Sequence, residues 1–327
     1  MVGYDRFEVA GPAGGVVAST RARHAAFVDQ REPPSGLGEN RGVGRQSDSG
    51  LRVDQCSIPA LDGYRLGASV HWAAEPRGVV VVNAATGVPH RFYRHFAAYL
   101  AGQGWTTVTY DYRGIAASRQ GPVRRSGARM RDWGLLDMPG AVAWSAGLDL
   151  GPVFVVGHSV GGQLMGLTDR PDQVAAMVTV SAQSGHWRYQ GGAQKAVVAA
   201  HTHLTFPVLA HVLGFVPWGR VGAGEDLPKR VALEWARWCR DRRYVMGDAS
   251  LPLTRYQQFE APILALSVSD DDWGTARSVA VMMRAYPHVT QREVTPAAAG
   301  LPSLGHVGFF RPTAEPLWTM VTDWFRV

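Results

Sequence analysis

A rhythm of short apolar, β-branched runs separated by helical patterns constrains this chain more than any other feature. Gly78–Val82 is apolar throughout, as a strand covered on both faces must be. Trp105–Tyr110, Pro152–Val156, Gln173–Ser181 and Pro262–Ser267 read as further strands, and Val289–Thr295 as the last. Between them His90–Gln103 (closed by Gly104), Trp133–Gly147 and Gln163–Thr168 read as helices, and Thr313–Phe325 as a terminal one. Ahead of them Val53–Ile58 and Tyr64–Ala73 read as an antiparallel pair turning at Asp62-Gly63. Strands buried on both faces, alternating with helices, predict a mostly parallel central sheet with helices on both faces.

Two segments break the rhythm. Residues 186–250 hold helical patterns (Ala193–Ala200, Pro207–Leu213, Pro228–Cys239) and no good strand, which predicts a helical lid inserted over the carboxyl ends of the strands. Residues 1–50 are rich in Gly, Arg, Ser and Pro, with six acids against six arginines and no apolar period. They are expected to be a largely disordered tail, with one short helix near 18–27. The expected organisation is therefore a core formed by 51–185 and 251–327, a helical cap at 186–250 and a tail at 1–50.

Composition excludes several classes. Apolar residues make up 46% and charged residues 18% of 327, the balance of a globular protein with a sizeable core. Neither a secretory leader nor an uninterrupted apolar span is visible, and the two cysteines, Cys56 and Cys239, have no metal-type spacing, so a cytoplasmic protein is expected. Gly36–Gly42 has the wrong spacing for a dinucleotide loop and follows no strand, and no phosphate-binding Gly-rich loop occurs, so no cofactor is expected. His201 and His203, two apart, do not share a helix face, and no metal is expected. The net charge of +6 raises nucleic-acid binding, but no recognisable module accompanies it. Six arginines and no acid lie in 113–131, read as a solvated loop or a patch for an anionic group.

The chemistry concentrates at Gly157-His158-Ser159-Val160-Gly161. It follows an apolar strand directly and precedes a helix, the setting in which a serine stands strained above a sheet between small neighbours. A serine hydroxyl needs a base. His306, in Gly305-His306-Val307-Gly308 after the last strand, is the expected base. The acid should follow Pro262–Ser267, where Asp270, Asp271 and Asp272 stand in a row. Counting from the strand start favours Asp271, with Asp270 the fallback. Two backbone donors are needed for an oxyanion: Val160, next to the nucleophile, and Ala85, in the loop Asn83–Gly87, with Ala84 and Thr86 as neighbours. Asp111–Gly114 reads as a structural turn with Arg113 in an ion pair. In the insertion Leu204, Phe206, Leu209, Leu213, Phe215 and Trp218 are candidates for an apolar substrate pocket, or for packing of the lid.

These residues together resemble the α/β-hydrolase superfamily over roughly 51–327. Within it the chain is similar to a bacterial group of predicted α/β-hydrolases related to serine aminopeptidase-like and lysophospholipase-like hydrolases. The matching text is Asp111-Tyr-Arg-Gly, Trp133-Gly with Asp137-Met-Pro-Gly, Gly157-His-Ser-Val-Gly-Gly-Gln, Gly185-His-Trp-Arg-Tyr, Asp270-Asp with Trp273-Gly-Thr, and Gly305-His-Val-Gly-Phe-Phe-Arg311. One departure is that Asn83-Ala84-Ala85 stands where a His-Gly pair is usual.

The expected function is cleavage of a carboxylic ester or thioester of a small acyl substrate through an acyl-Ser159 intermediate. Acyl transfer or cyclisation in a biosynthetic pathway uses the same three residues, with a substrate nucleophile replacing water. A non-catalytic binding protein on the same fold has no need of all three.

Overall fold

The structure is a computed structural model that describes residues 45–46, 50–221 and 224–326. The expected helix at 18–27 and Gly36–Gly42 lie outside the described residues, as does nearly all of the 1–50 segment. The strands are β1 (Arg45–Gln46), β2 (Arg52–Pro59), β3 (Arg65–His71), β4 (Gly78–Asn83), β5 (Trp105–Tyr110), β6 (Val153–His158), β7 (Ala176–Val180), β8 (Phe215–Val216), β9 (Leu227–Pro228), β10 (Ile263–Val268) and β11 (Val289–Val294). The helices are α1 (Arg94–Gly102), α2 (Met130–Asp132), α3 (Met138–Ala146), α4 (Val160–Gln163), α5 (Gln194–Ala200), α6 (Phe206–Val212), α7 (Lys229–Arg240), α8 (Ala276–Met283) and α9 (Thr319–Trp324).

One sheet runs in the order β1-β2-β3-β5-β4-β6-β7-β10-β11. The contacts among β1, β2, β3 and β5 are antiparallel, and those from β5 to β11 are parallel. β4, β5, β6, β7 and β10 are buried along their whole length, the three threonines of β5 included. This is the α/β-hydrolase fold, and the sheet's parallel centre carries β6, the strand that ends at Ser159.

Three elements differ from the sequence expectation. The helix expected at Gln163–Thr168 is instead the short α4, followed by a tight turn at Met165–Leu167. The Tyr286 hydroxyl is the cause. It donates to the Gly162 carbonyl at 2.9 Å and accepts from the Gly166 N–H at 2.8 Å, so it stands where the next helical hydrogen bond would form. The terminal helix is split into a tight turn (Pro312–Leu317) and α9, with Pro316 inside the turn. The insertion, expected to lack strands, contains a two-residue antiparallel ribbon of β8 with β9.

The insertion between β7 and β10 holds α5, a π turn (His201–Thr205), α6 and α7. Val198, Thr202, Phe206 and Ala210 recur every fourth residue and are buried. Leu204 and Leu213 fall off that stripe and are exposed, Leu204 at 64%. Two π turns, Trp133–Asp137 and His201–Thr205, lie just ahead of Pro139 and Pro207. Neither proline has an N–H to give the carbonyl four residues back, and the ladder loosens there.

Half of the arginines in 113–131 are structural ties. Arg113 bonds Asp137 through Nε (2.7 Å) and Asp62 through both terminal nitrogens (2.9 and 2.8 Å). Arg119 pairs with Glu225 at 3.2 Å. Arg131 reaches Glu234 at 2.6 Å and Asp248 at 3.0 Å, which pins α7 to α2. Asp137 is fully buried, so removing its charge leaves Arg113 undercompensated in the interior. Asp137→Asn is expected to lower the unfolding free energy in urea by about 3 kcal/mol. Arg125→Ala, on the exposed part of the run, should move it by less than about 0.5 kcal/mol. Equal, small effects of the two would show that Asp62 alone compensates Arg113.

Candidate active site

Ser159 occupies the reversal between β6 and α4 with φ 51° and ψ −116°, a conformation a side chain adopts only under constraint, at a cost of about 1–3 kcal/mol. Its neighbours must be small. A Cβ on Gly157 would stand 2.5 Å from the Gly162 Cα, and one on Gly161 would collide with the Asn83 carbonyl. The Ser159 N–H donates to the Val180 carbonyl at 2.9 Å, so the turn is locked to β7.

His306 and Asp271 are brought together: the His306 Nδ1–H donates to Asp271 Oδ2 at 2.8 Å, which leaves Nε2 as the basic nitrogen. Burial alone would raise the Asp271 pKa. The His306 charge and hydrogen bond, with further donors, outweigh it and hold the carboxyl at about 2. The fallback, Asp270, has a different task. Its two oxygens accept the N–H groups of Leu304 and Gly305 at 2.9 and 3.0 Å, bracing the loop that presents His306. Ser159 is not bonded to His306 in this conformation. Its hydroxyl donates, at 3.5 Å, to Gln183 Oε1.

The expected donor Ala85 is engaged elsewhere. A chain of hydrogen bonds fixes its direction. The His306 carbonyl can only accept, so His158 Nε2 carries the proton that it receives at 2.9 Å. His158 Nδ1 therefore accepts from the Tyr93 hydroxyl at 2.8 Å, and Tyr93 accepts the Ala85 N–H at 2.9 Å. The Thr86 N–H, next along the loop, and the Val160 N–H have no acceptor among the described residues. Asn83, at the strand end, is buried and accepts from Tyr110 at 2.6 Å.

Two cavities meet at Ser159. An outer cleft of ≈ 220 Å³ is lined by Ala85, Thr86, His306, Trp218, Trp235 and Trp273, among others. An inner cavity of ≈ 10 Å³, the size of a single water, runs under the insertion between Gln163, Gln183, Gln190, Thr202 and Phe206. Of the six pocket candidates singled out in sequence, Trp218 lines the outer space and Phe206 the inner one, while Leu213 and Phe215 line neither. Leu204 and Leu209 line neither: Leu204 faces away on the cap's outer side, and Leu209 is half-buried against the core. Missed were Trp235, Trp273 and the glutamines. A four-residue phase through Val198, Thr202 and Phe206 was the signal available for the inner wall. His201 stacks on Phe206 at 5.5 Å, and His203 is exposed. Among the described residues no three His, Cys, Asp or Glu side chains gather as a metal site would need.

His158 is fully buried, and burial first, then the neighbouring His306, depresses its pKa to about 3. A histidine that stays neutral in the folded protein loses stability as pH drops, because the unfolded chain binds the proton near its ordinary value. The loss begins near pH 6.5 and is complete near pH 3. Between pH 7 and pH 5 this one residue should cost about 2 kcal/mol of unfolding free energy. Urea unfolding at the two pH values should show that slope, and His158→Gln should remove most of it. An unchanged slope in the variant would place the acid-sensitive group elsewhere.

With this geometry in view, comparison with known proteins is informative. The family model described as serine aminopeptidase, S33 (Hydrolase_4) matches residues 74–245. No curated protein matches the chain. Among solved structures, a hypothetical protein from Pseudomonas aeruginosa is similar at TM-score 0.61 and 13% identity, over 86% of this chain and 95% of that one. An esterase from Exiguobacterium antarcticum is similar at TM-score 0.56 and 14% identity, over 84% of this chain and 100% of that one. The esterase domain of a Rhodothermus marinus protein is similar at TM-score 0.53 and 15% identity, over 84% and 98%. At such identities the likeness is one of fold.

Proposed function

The chain belongs to the serine aminopeptidase S33 family of α/β-hydrolases, and from that premise we propose that it cleaves a carboxylic ester or thioester through an acyl-Ser159 intermediate. The observation that carries the reading is the His306–Asp271 hydrogen bond beside a strained Ser159 that shares a cleft with His306. His306 Nε2 takes the Ser159 proton as the hydroxyl oxygen attacks the carbonyl carbon. Asp271 holds the ring in the tautomer that leaves Nε2 basic and stabilises the imidazolium. The developing oxyanion is met by the Val160 and Thr86 N–H groups, which are free for it, rather than by Ala85. His306 then gives its proton to the leaving oxygen or sulfur. A water deprotonated by His306 attacks the acyl-serine and releases the acid. Hydrolysis is favoured over acyl transfer because the His306 side chain keeps 20% exposure at the open cleft, where water reaches it.

In this reading 186–250 is a cap domain on the core, and the partner is a small acyl compound. Neither a nucleic acid nor a cofactor is needed for the reaction. Among the described residues no helix is long and apolar enough to cross a membrane. The two free thiols, Cys56 and Cys239, fit a reducing compartment such as the cytoplasm.

A fluorophosphonate probe should label Ser159, as read by peptide mapping. Ser159→Ala should abolish labelling and lower kcat on a nitrophenyl ester by roughly 10⁴-fold or more. His306→Ala should do the same to kcat. Labelling that persists in Ser159→Ala would move the nucleophile elsewhere.

A further inference from the structure

The insertion between β7 and β10 has an outward face that neither the core nor the proposed reaction uses. We propose that this face docks on a lipid bilayer with anionic headgroups, the helix lying in the plane of the surface. The proposal does not depend on the roles given above to Ser159 and His306.

α5, the π turn at His201–Thr205 and α6 follow one another without a break. One side of this run is the buried stripe of Val198, Thr202, Phe206 and Ala210. On the other side Leu204, Val208 and Val212 also recur every fourth residue, and Val197 falls two turns earlier. These four and Leu213 are exposed, Val212 at 75%. Single apolar residues scattered over a surface mean little. Here every exposed large apolar side chain among the described residues falls between 197 and 213. Ala193, Ala196 and Ala200 are exposed beside them. A helix that is apolar on both sides is suited to cover on both sides. The core covers one, and the other is left for a partner.

Charge selects that partner. No Asp or Glu occurs from 186 to 224, and no Lys or Arg stands between Lys195 and Arg220. Lys195 is exposed at the start of the run. At its end the Val123–Arg125 turn comes alongside: a Cβ on Gly214 would stand 3.4 Å from the Arg124 Cβ. Lys195, Arg124 and Arg125 are exposed and make no ion pair among the described residues. The acids of the neighbourhood stand off the stripe. Asp272 lies beside Gly191, ahead of α5, and Glu225 is held by Arg91 and Arg119. The face is therefore a strip of hydrocarbon with cations at both ends and no anion within it.

An anionic bilayer answers both features. Its acyl region takes Leu204, Val208 and Val212, and its headgroups take Lys195 and Arg124. A second copy answers only the first. Two such faces laid helix against helix, in either direction, set cations against cations. No described helix is long and apolar enough to cross a membrane, so the contact is peripheral.

Flotation of the full-length chain with two kinds of vesicle tests this: phosphatidylcholine alone, and phosphatidylcholine mixed with phosphatidylglycerol. At low ionic strength the wild type should bind the mixed vesicles at least about 10-fold more than the neutral ones. Leu204→Gln combined with Val212→Gln should lower that binding by about 10-fold. Both positions are exposed, so the melting temperature should stay where it is. No flotation with either vesicle overturns the proposal. Equal flotation with both also does, because the headgroup charge then plays no part. Binding that survives intact in the paired variant overturns it as well, since the net charge of +6 would account for the adhesion without this face. Sedimentation velocity without vesicles addresses the second copy. A wild-type dimer that the paired variant loses, with no vesicle binding by the wild type, would give the face to self-association and overturn the proposal.

Discussion

The reversal at Ser159 is possible only because two stretches of backbone touch there without side chains between them. Gly157 lies against Gly162, and Gly161 lies against the Asn83 carbonyl at the end of the neighbouring strand. β6 sits between β4 and β7, so the serine emerges where the parallel sheet is most completely covered. Rigid surroundings on three sides hold an unfavourable backbone geometry that an exposed loop would relax. The positions of the His306 loop and of the Asn83–Gly87 loop have meaning only relative to that point.

Those loops are tied to the reversal by polar groups that are buried and paired. Tyr93 and His158 connect the Ala85 N–H to the His306 carbonyl through a chain in which each bond dictates the direction of the next. Asp270 and Asp271, adjacent in sequence, take hold of the backbone and the ring of the same loop. The insertion between β7 and β10 is tied down by charge: Glu234 and Asp248 converge on Arg131, and Asp248 also accepts from the Trp238 indole at 2.9 Å. Core packing sets the scaffold, while these directional contacts set the angles.

Much of this could be read from the residues in order. Apolar runs such as Gly78–Val82 declared strands buried on both faces. The spacing of the acids after β10 pointed to Asp271, which meets His306. Other features depended on partners distant in sequence. The hydroxyl of Tyr286 cuts short the helix after Ser159, and no local propensity around Gly162 hints at it. Tyr93 removes Ala85 as a donor from eight residues away, through a bond that exists only once α1 has packed. In the cap, apolarity suggested Leu204, whereas helical phase put Thr202 inside. The Thr202 hydroxyl donates to the Val198 carbonyl at 2.8 Å, which lets a polar residue sit on that buried stripe. The arginines of 113–131 read as one patch in sequence but separate in space, with Arg113, Arg119 and Arg131 each committed to a different acid.

The chain just ahead of β9, within the insertion, meets the loop after β4. The Glu225 N–H donates to the Gly87 carbonyl at 2.7 Å, and the Glu225 carboxylate is held by Arg91 and Arg119. Gly87 follows Thr86, whose N–H faces the reacting carbonyl in the proposed mechanism. In that mechanism the Glu225–Gly87 bond would couple any displacement of this part of the insertion to the oxyanion donor. A substrate that pushed this segment outward would then draw the donor away from the oxygen it should stabilise. Poor substrates of such an enzyme would reveal themselves in a low turnover number rather than in a weak apparent affinity, and selectivity would be exercised after binding.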